Sequence, residues 1–101
     1  MPDPSAAAPL SGCFVAEWYR PQLSRPGFDS LVALLDSAAA ALEAGGAVRL
    51  LVAFVVPADD TVYGVFAADT GQRVLQMCSR AGVLPQRITP DTHVDVRPVA
   101  S

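Results

Sequence analysis

The sequence predicts an α+β domain, a four-stranded antiparallel sheet with two helices on one face. Three observations lead there. Between Ala47 and Asp69 two apolar, β-branched-rich runs flank Pro57-Ala58-Asp59-Asp60, the pattern of a hairpin. On each side of that hairpin lies one stretch with apolar residues at helical spacing and, further out, one stretch of strict alternation. The chain has 101 residues, which suffices for one core and one domain.

Residues 1–11 (MPDPSAAAPLS) hold three prolines and a run of small residues. They offer no periodic face to bury and read as a flexible tail ahead of a domain over 12–101. From 13 to 19, Phe14, Ala16 and Trp18 alternate with Cys13, Val15, Glu17 and Tyr19, giving a first strand that ends before Pro21. Trp18 and Tyr19, aromatics at the strand end, read as core residues. Pro21 to Gly27 is a connection, and Ser24 or Asp29 caps a helix over 29–44. Its apolar stripe is Phe28, Leu31, Leu35, Ala38 and Leu42, and Gly45-Gly46 stops it.

The hairpin strands are placed at 47–57 and 61–68. With a three-residue turn, Val48, Leu50, Val52, Phe54 and Val56 share the core face with Val62, Gly64, Phe66 and Ala68. Truncating Phe54 to Ala then costs about 3–5 kcal/mol. Leu51, Ala53, Val55 and Val65 fall on the opposite face, which is also apolar and needs a cover. A four-residue turn would instead carry Tyr63 to the helix side. Asp69 caps a second helix over 70–81, with Gln72 completing a capping box; Val74, Leu75, Cys78 and Ala81 form its stripe and Gly82 ends it. The last strand, 87–97, sets Ile88, Thr92, Val94 and Val96 against Arg87, Thr89, Asp91, His93, Asp95 and Arg97. Pro90 and Pro98 cannot donate ladder hydrogen bonds, which puts this strand at an edge. The order βαββαβ with right-handed crossovers gives a ferredoxin-like sheet of order 4-1-3-2, with the first and third strands central.

Composition narrows the function. Hydrophobic residues make up 51% and charged residues 17%, a folded and rather apolar chain for which burial by self-association is a natural extension. A net charge of -3 leaves no basic patch for phosphates, so nucleic acid is not an expected partner. All the basic residues are arginine, a bias of GC-rich, actinobacterial-type genomes. No signal-peptide pattern and no membrane-length apolar run occurs, so the bacterial cytoplasm is expected. Cys13 and Cys78 stand far apart outside any CxxC spacing and read as buried thiols.

Three stretches carry a resemblance: FVAE (Phe14 to Glu17), FVVPADDTVYGVFAA (Phe54 to Ala68) and SRAGVLPQRI (Ser79 to Ile88). From about Cys13 to Val96 the chain resembles a family of small bacterial ferredoxin-like domains of unknown function that includes nickel-binding members. The resemblance implies the fold and self-association. The chain departs from the family at Gly64, where cysteine is common, at Ala67, where glutamate is common, and at Met77, where histidine is common, while Glu17 is kept.

The residues themselves do not spell a metal site. His93 is the sole histidine, and structural zinc wants four protein ligands and catalytic zinc three. Asp59-Asp60 lacks the oxygen ligands of a calcium loop and reads as a solvated turn. No phosphate loop, nucleophile elbow or other cofactor fingerprint is present, so no cofactor is expected. The candidate ligand-binding residues are Glu17, Tyr63 and His93. Their alternation places a carboxylate, a phenol and an imidazole on the open sheet face, where they serve either acid–base chemistry and ligand orientation or the polar rim of an interface. Two functions remain. One is a homodimeric or higher-order module, joined through the open face and holding a small ligand, an ion or a partner. The other is a small cofactor-free enzyme, an isomerase or oxygenase, with a cavity on that face.

Overall fold

The computed structural model describes residues 13–41, 48–95 and 97 of the chain. The tail at 1–11, the glycine pair Gly45-Gly46, Leu42 and Val96 lie outside the described residues. Within them the order is β1 (Cys13–Tyr19), α1 (Arg25–Ala41), β2 (Arg49–Val56), β3 (Thr61–Ala67), α2 (Gly71–Ala81) and β4 (Arg87–Thr92). The strands form one antiparallel sheet of order β2-β3-β1-β4, which is the expected 4-1-3-2 read from the other side.

Each helix starts where a hydroxyl satisfies an orphan N–H. Ser24 Oγ accepts from Gly27 N at 3.1 Å, so α1 begins four residues earlier than the expected Asp29. Thr70 Oγ1 accepts from Arg73 N at 3.3 Å, so the cap of α2 is Thr70 rather than Asp69 and no capping box with Gln72 forms. Gly82 closes α2 as expected, in the left-handed conformation that only glycine adopts without a Cβ penalty.

Leu31, Leu35 and Ala39 of α1 and Val74, Met77 and Cys78 of α2 are buried against Phe14, Ala16, Trp18, Val62 and Phe66 of the central strands. Leu75, expected in the stripe of α2, is instead exposed, and Met77 takes the buried position. Trp18 anchors this core twice. Its ring meets Phe66 edge to face at 6.3 Å, and its Nε1–H donates to Val83 O at 2.9 Å, which leaves the indole with no unmet polar group. Tyr19, the next residue, points the other way and is exposed, contrary to the core reading.

Both edge strands carry one extra residue. On β2, Leu50 pairs with Phe66 but Val52 with Val65, so a bulge at Leu51 reverses the faces beyond it. On β4, Thr89 pairs with Val15 but Thr92 with Cys13, so a second bulge at Pro90-Asp91 turns Thr92 onto the face of Arg87 and Thr89. Asp91 takes a left-handed φ of 56° there. The hairpin turn has four residues: Pro57 to Asp59 make a single 3-10 turn, and Asp60, at φ 52°, closes it before Val56 pairs with Thr61. The longer turn does not move Tyr63, whose side is set by its pairing with Glu17. It moves β2. Val48 and Leu50 stay on the core side as expected, whereas Val52, Phe54 and Val56 lie on the open face and Ala53 and Val55 turn inward.

Candidate functional site

The open face is a grid fixed by register. Its first row is Arg49, Ala67, Cys13 and Thr92, and its second is Val52, Val65, Val15 and Thr89. The third row is Phe54, Tyr63, Glu17 and Arg87, and the fourth is Val56, Thr61 and Tyr19. The β2–β3 half is therefore largely apolar and the β1–β4 half largely polar. Val65, at the centre, is only 5% exposed, while Phe54 is 44% and Val52 38% exposed at the edge.

The third row gathers the chemistry. Phe54 and Tyr63 stack with centroids 5.0 Å apart and 20° between planes. Tyr63 is the cross-strand partner of Glu17, so carboxylate and phenol lie side by side as the alternation requires. Arg87 Nε stands 3.8 Å from Glu17 Oε2, a long, half-solvated pair worth little in stability. Sequence reasoning missed Arg87 as a neighbour of Glu17, although both were on the open side; the offset between β1 and β4 was not readable.

His93 does not join this row. β4 ends at Thr92 rather than at residue 97, and Thr92 sits opposite Cys13. At a rise of ~3.3 Å per residue the four residues from Cys13 to Glu17 separate the two ends by roughly 13 Å, too far for an imidazole to share a proton with Glu17 or Tyr63. The candidate trio reduces to a pair, with Phe54 and Arg87 as flanks.

The described residues do not assemble a nickel or other metal centre either. Among the described residues no three His, Cys, Asp or Glu side chains come together as a metal requires. Gly64 has no side chain and lies beneath the rings of Trp18 and Phe66, and Met77 is fully buried. Cys13 and Cys78 are both buried. Burial pushes the Cys78 thiol up from 9.0 to about 11, which keeps it protonated and unreactive near neutral pH.

No protein-family model matches the chain, and no curated protein does. Among solved structures, the chain is similar to the crystal structure of SCO4226 from Streptomyces coelicolor A3(2), with a TM-score of 0.60 at 18% identity, over 85% of this chain and 99% of that one. At that identity the likeness carries the fold and nothing finer. Among the described residues no helix is long and apolar enough to cross a membrane.

Proposed function

We propose that the protein is a self-associating module in which the open sheet face of one copy packs against that of a second, with Glu17 and Tyr63 as the polar groups offered to a small ligand or ion held at the contact. The observation that carries this reading is the exposure of Val52 and Phe54 beside the apolar Val65, Val15 and Val56 on a face that no helix among the described residues covers. Two features favour a second copy as the cover. Four strands ~4.8 Å apart and six to eight residues long present about 400 Å2 in projection, and more as accessible surface. Two such faces approach the ~1,200 Å2 at the lower end of specific interfaces. Charge also permits it: the chain as a whole is acidic at -3, yet the paired positions of this face carry Arg49 and Arg87 against Glu17. The net charge of these positions is small, and Arg87 or Arg49 of one copy can meet Glu17 of the other.

Sedimentation velocity over a range of concentrations tests the reading. The wild type is expected as a dimer, and Val52→Lys together with Phe54→Lys is expected to give a monomer with an unchanged far-ultraviolet spectrum, since both side chains already reach solvent in the single copy. A wild type that stays monomeric at high micromolar concentration refutes it.

A further inference from the structure

A second candidate site lies away from the open face, where the first turn of α1 meets the β2–β3 turn. A cleft of about 260 Å3 opens there, floored by Leu23, Phe28 and Val55 and rimmed by Arg20, Arg25 and Asp60. That volume is just under the ~300 Å3 at which drug-sized pockets begin, so its occupant is small. The walls are tied to each other. Arg20 N donates to Asp60 O at 2.7 Å and Gln22 N to Asp60 Oδ1 at 3.4 Å. Gln22 and Asp60 hold left-handed φ values of 57° and 52°.

The charges around the cleft are unevenly used. Arg25 is engaged by Asp29 at 3.3 Å, one turn along α1. Arg20 and Asp60, although joined through their backbones, form no side-chain ion pair among the described residues, and the Arg20 guanidinium has no partner there. One cation and one anion thus border an apolar floor without neutralising each other. A ligand of single charge would satisfy one and repel the other. A zwitterion satisfies both and brings no net charge to an acidic protein.

We propose that this cleft binds a free apolar α-amino acid, with its carboxylate on Arg20, its ammonium on the Asp60 carboxylate and its side chain over Leu23, Phe28 and Val55. The site is independent of the open sheet face. Fixed main-chain geometry on both walls means that binding requires little reorganisation.

The test is a titration of the full-length, 15N-labelled protein with L-phenylalanine and L-leucine at low salt, where exposed charges are least screened. Saturable shifts are expected at the amides of Gln22, Leu23 and Val55. 3-Phenylpropionate lacks the ammonium and phenethylamine lacks the carboxylate; each should bind at least ~10-fold more weakly, a loss of ~1.4 kcal/mol. Arg20→Gln and Asp60→Asn should weaken L-phenylalanine to the same degree. Asparagine keeps an oxygen for Gln22 N and tolerates the left-handed conformation, so the spectrum of the unliganded Asp60→Asn protein should match the wild type away from the cleft. Absence of saturable shifts with either amino acid, equal binding of 3-phenylpropionate, or undiminished binding in both variants would overturn the proposal.

Discussion

Gly64→Ala is the smallest change that should register in the core. Gly64 sits on the helix side of β3, and a Cβ built on it would lie 3.0 Å from Phe66 Cε1, 3.2 Å from Trp18 Cζ3 and 3.3 Å from Phe66 Cζ. Ordinary contacts begin near 3.5 Å, so both rings must retreat by several tenths of an ångström. Neither has room. Trp18 is pinned through its hydrogen bond to Val83 O, and Phe66, fully buried, packs edge-on against that same indole. Forcing one methyl into such a site costs about 1–3 kcal/mol. The entropy that alanine removes from the unfolded chain returns about 0.4–1 kcal/mol. The net expectation is a loss of about 1–2 kcal/mol, or roughly 4–15 °C in Tm for a domain of this size. Because any dimer makes Tm depend on concentration, wild type and variant must be compared by calorimetry at equal protein concentration. An alanine variant as stable as the wild type, or more so, would show that the Trp18–Phe66 pair gives way and that the packing argument is wrong.

Three further outcomes follow from the observed register, caps and burial. Phe66→Ala should cost about 3–5 kcal/mol by urea denaturation, whereas Phe54→Ala, half-exposed in the single copy, should cost about 1–2 at a protein concentration low enough for the chain to be monomeric; equal losses there would contradict the bulge at Leu51. Thr70→Ala should lower stability by about 1 kcal/mol and Asp69→Ala by less than about 0.5, a ranking that reverses if Asp69 is the cap. The folded Cys78 thiol holds its proton up to about 11 while the unfolded one releases it from 9.0. The folded state therefore binds more protons between those values, so stability falls as pH rises through that window and is unaffected below it. Denaturation of wild type and Cys78→Ala at either end of the window should show a steeper loss for the wild type, and parallel losses would refute the assignment.

The order of elements, the two central strands and the residues of their inner faces were legible from the chain alone. Phe14, Ala16 and Trp18, and likewise Val62, Gly64 and Phe66, needed no correction, because these strands are flanked on both sides and a slip of one residue would expose every aromatic they bury. Ser24 was legible as one of two caps for α1, and Glu17 with Tyr63 was legible as a cross-strand pair. The edge strands were settled only by the three-dimensional pairing. In RLLVAFVV (Arg49 to Val56) both faces are apolar, so alternation names no inner side, and a bulge at Leu51 exchanges the faces without leaving a trace in the pattern. That exchange made Phe54 a surface partner of Tyr63 rather than a core residue. On β4 the signal was present but incomplete. Pro90 announced an edge, yet not the register of that edge, which sets Arg87 opposite Glu17 and so leaves His93 beyond Thr92, at the Cys13 end of β1. An edge strand has one neighbour to hold its register, so an extra residue costs few hydrogen bonds there, and only the complete set of pairings reveals where it was placed.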